Sequence, residues 1–207
     1  MIEIIFKGGP TMIPLIVCSI VVLAIALERY IYLKKCRNGQ IYKTFKKAKI
    51  WIEEEEISKA LKEVKQERGP VATLMATALV NFNKEKDEFQ KHLQIVGENE
   101  VHKMERHLKV IDLIAMISPL LGLLGTVIGI IQSFNILAGA PAVTAPAAIS
   151  RGIAQALIST ATGLIVAIPA MIIYSYLVSL LEKRTNEMNQ WSVEVMELYN
   201  RRDGRGV

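Results

Sequence analysis

Three long apolar runs leave this chain few ways to fold. The first, MIPLIVCSIVVLAIALERYIYL, covers Met12 to Leu33. The second extends from about Val110 to Leu137, and the third from about Ile149 to Leu181. Roughly 20 apolar residues suffice to cross the hydrocarbon core of a bilayer. Hydrocarbon offers the backbone no hydrogen-bond partner, so each run must be a helix. The first run is too long for the apolar part of a signal peptide, starts after Gly8-Gly9-Pro10 and lacks a small-residue cleavage site at its end, so a retained helix is expected. The second run, at about 1.5 Å per residue, is roughly 40 Å long and must tilt or project beyond the bilayer. The third is longer still.

Charge supports the same reading. Hydrophobic residues make up 51% of the 207, yet 22% are charged, a mixture that suggests spans joined to a solvated part. The net charge of +5 could point to nucleic acid, but the positions of the charges argue against it. Lys34, Lys35 and Arg37 follow the first run, Lys103, Arg106 and Lys109 precede the second, and Lys183 and Arg184 follow the third. Arg201, Arg202 and Arg205 close the chain, the loop from Ala138 to Ala148 is uncharged, and the N-terminal segment has only Lys7 as a basic side chain. The positive-inside rule then places the N-terminus outside and the C-terminus in the cytoplasm. The expected divisions are a periplasmic segment 1–11, a span 12–33, a cytoplasmic helical domain 34–109, a span 110–137, a periplasmic loop 138–148, a span 149–181 and a cytoplasmic tail 182–207. No nucleic-acid partner is expected.

The solvated parts read as helices too. Ile41, Phe45, Ala48 and Ile52 are helically spaced, as are Ile57, Ala60, Leu61 and Val64. Gly69-Pro70 should break the chain and start a helix carrying Val71, Leu74, Ala78 and Phe82. From Lys86 the pattern stays helical, with Leu93, Val96, Glu100, Met104 and His107 on one side, and predicts one unbroken helix into the second span. In the tail, Leu181, Met188, Trp191, Val195 and Leu198 keep a heptad-like rhythm. These segments should pack as a helical bundle. The Glu53–Glu56 run reads as a solvated face, and His92, His102 and His107 lack the spacing of a helical metal pair. Cys18 lies within the first apolar run and Cys36 in the basic segment on its far side, so they should not meet in a disulfide. No metal, no cofactor and no nucleophile–base pair is expected, hence no enzyme.

The stretch SPLLGLLGTVIGIIQSF, Ser118 to Phe134, holds more small and polar residues than an anchor needs. Pro119, Gly122, Thr126, Gly129 and Ser133 share one face by spacings of three and four, flanked by Gly125 and Gln132. On the third span Gly152, Ala156, Ser159, Gly163, Ala167 and Ala170 form a small stripe, and Gln155, Ser159 and Thr162 an overlapping polar one. Thr160 points roughly 140° away from Gln155. Small faces let membrane helices approach closely, so Gly122, Gly125, Gly129 and Gly163 read first as packing positions and Pro119 and Pro169 as kinks. Thr126, Thr160 and Gln155, with Ser159, Thr162 and Ser133, could instead face a shared polar cavity. The first span, nearly all Leu, Ile and Val, would then lie against lipid with the other two inside. One copy has too few helices to enclose a pore, which implies a homo-oligomeric ring. The spans carry no acidic residue at depth, since Glu28 and Asp112 sit near their ends.

These stretches, together with ISRGIAQALISTATGLIVAIPAMIIYSYL and the first span with its terminal Glu28-Arg29, resemble the ExbB/TolQ/MotA proton-channel family, most closely its ExbB branch. The resemblance implies an all-α protein of the bacterial inner membrane, a pentamer around the single-span helices of a dimeric ExbD/TolR-type partner. That partner supplies an aspartate near the pore. Ion flow down the proton motive force would move it and transmit work through a TonB-like protein to the outer membrane, or through a TolQ-type assembly to the envelope. The resemblance also implies that Thr126 in GLLGTVIG and Thr160 in ISTATG face the partner's aspartate. Several members have glutamate where GIAQAL has Gln155, which cannot titrate and leaves H⁺ and Na⁺ both open. A different class, a passive oligomeric scaffold whose polar stripes serve only packing, remains the rival.

Overall fold

The computed structural model describes residues 8–35, 44, 46–47, 49–51, 56–67, 69–139 and 145–203. The helically spaced Ile41, Phe45, Ala48 and Ile52 lie outside these residues, as do Cys36, the glutamates 53–55, the loop residues 140–144 and the chain ends. Six labelled helices follow in order: α1 Met12–Lys35, α2 Ile57–Val64, α3 Pro70–Val80, α4 Lys86–Glu105, α5 Leu108–Gly139 and α6 Ala145–Asp203. No strand occurs among the described residues. Three stretches, in α1, in α5 and in α6, are long and apolar enough to cross a membrane. With 59 residues, α6 is about 88 Å long and outreaches any bilayer.

The chain forms two compact units. One comprises the residues up to Glu28 with His107–Leu177, and the other Arg29–Arg106 with the chain from Val178 onward. The second unit has a core of its own. Gly69, at φ 128°, adopts a backbone conformation that a side chain would strain, and Pro70 then opens α3 as its first residue. α3 buries Val71, Leu74, Met75 and Ala78, and Phe82 is buried just past its end. These meet Phe89 and Leu93 of α4 and Met188, Val195, Leu198 and Tyr199 of α6. The last four include three of the heptad-like positions, while Trp191 packs at the edge. Phe89 stacks on Tyr199 with centroids 4.4 Å apart, Phe82 meets both rings edge-on, and the Tyr199 hydroxyl donates to Lys84 O at 2.7 Å. The Phe89→Ala variant should lose about 3–5 kcal/mol through the cavity it leaves. A thermal melt should show an early transition with Trp191 fluorescence as reporter, because Trp191 packs against this cluster.

The expected unbroken helix from Lys86 into the second span is interrupted. α4 ends at Glu105, and His107 takes φ 65°, the one positive-φ residue other than glycine among the described residues. That conformation crowds Cβ against the carbonyl oxygen and needs outside support. Neighbouring residues of α1 act on each side of the break. Within the first unit, Glu28 Oε2 lies 3.3 Å from His107 Nδ1. Within the second, buried Arg29 donates from Nη1 to Lys103 O at 3.0 Å, satisfying a carbonyl in the last turn of α4 that has no helical partner. Its cation also complements the negative end of the helix dipole. Lys103 in turn reaches buried Glu100 at 2.6 Å, and that hydrogen bond and charge hold the Lys103 ammonium above its usual range.

Candidate functional site

In the first unit, the small faces of α5 and α6 lie against each other. A Cβ added to Gly163 would stand 2.6 Å from Ser118 O, and one on Gly122 would stand 3.0 Å from Thr160 Cα. One on Gly129 would stand 3.1 Å from Ala156 Cβ and from Gly152 O. As numbers rise on α5 they fall on α6, so the helices run antiparallel. At Gly163 only hydrogen fits without a backbone shift, and at Gly122 and Gly129 a side chain would have to push the facing helix back by a few tenths of an ångström. Small residues do this in membranes because lipid tails are as apolar as leucine, and packing must supply what the hydrophobic effect cannot.

The seam is turned slightly from the expected face. Its α5 side consists of buried Ser118, Gly122, Gly125, Gly129 and Ser133, whereas Pro119 and Thr126 are only half-buried. Gly125, expected to flank, is central: a Cβ there would overlap the Ser159 side chain and approach Thr11 Oγ1 to 2.6 Å. On α6 five members of the expected stripe, Ala156, Ser159, Gly163, Ala167 and Ala170, are buried, while Gly152 is half-buried and Pro169 exposed. Pro119 and Pro169 both sit inside their helices.

The hydroxyls fall into groups. Ser118 donates to Ile114 O at 2.7 Å, Ser133 to Gly129 O at 2.8 Å and Thr162 to Ile158 O at 2.8 Å, each one turn back along its own helix. Thr126 donates to Leu123 O at 2.6 Å. Thr160 reaches across the seam to Gly122 O at 3.2 Å. Buried Ser159 shares a 2.7 Å hydrogen bond with Thr11, just before α1.

Helix geometry separates these residues further. Each step along a helix turns about 100°. Both helices are right-handed and they run antiparallel, so the step after a seam residue turns to the same side on each. Thr126 follows Gly125 and Thr160 follows Ser159, which places both threonines on one side. Thr126 lies four residues past Gly122, the neighbour of Thr160, or about 6 Å along the seam. Gln155 and Thr162 precede the seam residues Ala156 and Gly163 and turn to the other side. That side is occupied by the start of α1, where a Cβ on Gly9 would overlap the Gln155 amide. The six polar residues singled out from sequence are therefore not one lining. The structure brings Thr126 and Thr160 together, buries Ser133 and Ser159, and sets Gln155 and Thr162 apart.

Two polar partners escaped the sequence reading, Thr11 and Ser118. By sequence Thr11 belongs to the N-terminal segment, but Gly8-Gly9-Pro10 in front of it signals a tight turn, and Gly9 has φ 79°. The first helix is also more than a lipid-facing span. It buries Met12, Leu15 and Val22 within the unit and exposes Ile13, Val17, Ile20, Leu23 and Leu27.

Residues 52–190, which contain α5 and the part of α6 that forms the seam, match the MotA/TolQ/ExbB proton channel family. The chain belongs to that family. An ExbB-like biopolymer transport protein of Synechocystis is 33% identical over 180 residues, 84% of this chain and 69% of that protein. An ExbB homolog of Methanothermobacter thermautotrophicus is 32% identical over 84% of this chain and 63% of its own length. The Tol-Pal system protein TolQ of Pseudomonas aeruginosa is 42% identical over 83 residues, 40% of this chain. Membership makes this a membrane protein of a proton-channel family rather than of an enzyme class. Within the family, the ExbB-like names among its relatives agree with the ExbB branch.

Proposed function

We propose that this chain is the ring-forming subunit of an ion-driven motor in the inner membrane. The N-terminus is periplasmic, and the unit built around Phe89 and Tyr199 is the cytoplasmic bundle. Five copies surround the single-span helices of an ExbD/TolR-type dimer, and proton flow energises TonB-dependent transport at the outer membrane. The observation that carries this reading is the pair Thr126 and Thr160. Both are half-buried, both turn to the side of the seam opposite the Gly9–Gln155 contact, and they lie about one turn apart. Residues 8–27, 113–148 and 152–181 contain no charged side chain, so a carboxylate at this depth has to come from another chain. Gln155, unable to titrate and held beside Gly9, positions the start of α1 and carries no proton.

The energetics favour a device that resets. One charge crossing about 100 mV yields roughly 2.3 kcal/mol, so useful work needs repeated transfers, and an open leak would dissipate the gradient. The protein without its partner should therefore conduct poorly. Native mass spectrometry of the chain, alone and co-expressed with an ExbD/TolR-type single-span protein, should show a closed ring that takes up the partner. A monomer or dimer that ignores the partner would leave the passive scaffold as the better account. One observation favours that rival: Thr126, Thr160, Ser133 and Ser159 all find hydrogen-bond partners within the chain itself.

A further inference from the structure

From Lys34 to Ile52 the chain carries seven lysines and arginines and no acidic residue. The described part of this stretch belongs to the second unit and has a distinct inside and outside. On the inside, buried Thr44 donates to Glu67 Oε1 at 3.1 Å, and Trp51 packs against the core cluster. On the outside, Lys46, Lys47 and Ile50 share a helical face by spacings of one and three, and all are exposed. Ile50 is 52% exposed, an apolar side chain set among cations.

Three lysines elsewhere in this unit pair with glutamates: Lys59 with Glu56, Lys84 with Glu88, and Lys103 with Glu100. Lys34, Lys46 and Lys47 form no ion pair among the described residues; Lys34 has only the Tyr30 ring, 5.6 Å away. Lys34 is also the last residue of the first membrane-crossing stretch, where headgroups begin. A basic segment directly following a span attracts anionic lipid, and an apolar side chain among the lysines is what an interfacial helix inserts.

We propose that the face formed by Lys46, Lys47 and Ile50, together with Lys34, binds anionic phospholipid headgroups at the membrane surface where α1 emerges. This rests on membrane localisation alone and is independent of the motor reading. The test uses the full chain in nanodiscs of equimolar phosphatidylglycerol and phosphatidylcholine, with retained lipids counted by native mass spectrometry. The wild type should retain phosphatidylglycerol preferentially. K46Q/K47Q should lower that preference on the order of fivefold per lysine, and K46R/K47R should keep it. Salt near 1 M, where the Debye length is about 3 Å, should abolish it. Equal retention of both lipids by the wild type would overturn the proposal, as would an unchanged preference in K46Q/K47Q. So would an equal loss in K59Q, which removes a lysine already paired and would mean that net charge rather than this face governs binding. K47Q alone gives the same reading at half the lysine count if the double variant does not fold.

Discussion

Gly163→Val should prevent α5 and α6 from closing on each other, and under the motor reading no ring should be recovered. The reason is local and steric. The first added carbon would sit 2.6 Å from Ser118 O and 3.1 Å from Gly122 Cα, and both are backbone atoms that cannot swing aside. Overpacking a well-fitted interior costs about 1–3 kcal/mol when flexible side chains can yield, and here none stands in the way. A membrane seam has little to compensate with, since apolar area separated from its neighbour is still dissolved in lipid. Size-exclusion chromatography and a thermal melt in detergent should show loss of the assembled species and a transition several degrees lower. Leu164→Val, on the exposed neighbour, is the control and should behave as wild type. A Gly163→Val protein that assembles and melts like wild type would mean that the helices do not meet along this face.

Under the motor reading, the double variant Thr126→Val/Thr160→Val should do the opposite, leaving assembly intact and impairing ion-driven work. Valine keeps the shape of threonine. The hydrogen bonds lost are two, from Thr126 to Leu123 O and from Thr160 to Gly122 O. An intramolecular hydrogen bond contributes about 0.5–1.5 kcal/mol net, and inter-helix ones in membranes average about 0.6 kcal/mol. Stability should therefore fall little. Under the motor reading the same hydroxyls face the partner's carboxylate, so transport in complemented cells should fall by tenfold or more, with the partner still bound. Thr126→Ser/Thr160→Ser, which retains the hydroxyls, should recover much of it. A passive scaffold makes the contrary prediction, since both variants would then work as wild type. Gln155→Ala adds a useful contrast: it removes a contact on the opposite side and should act on the seating of α1, not on ion coupling.

Much of the architecture was legible because the bilayer permits so little. Three runs of the required length could only be helices. The spacings of three and four marked Gly122, Gly129 and Gly163 as places of close approach, and Gly69-Pro70 marked the start of α3. The heptad-like positions Met188, Val195 and Leu198 announced the buried side of α6. The positions that escaped are those where one step of about 100° decides the outcome. Gly125 and Thr126 are neighbours in a stripe that admits either as its centre, and only the docked partner helix selects Gly125. Thr11 gave no signal as a hydrogen-bond partner because Ser159 is 148 residues away.

By itself, then, the sequence determined the number of membrane-crossing stretches, the small faces and the family, because these follow from local periodicity and from the need to satisfy the backbone in hydrocarbon. The tertiary structure decided which side each polar residue faces. Antiparallel packing of α5 on α6 gathered Thr126 and Thr160 and set Gln155 apart beneath the start of α1. It also decided the break at His107, where a helical pattern alone predicts continuity. That backbone angle is held by Glu28, 79 residues earlier, and the end of α4 by Arg29. Such choices depend on contacts between segments remote in the chain, and no local pattern encodes them.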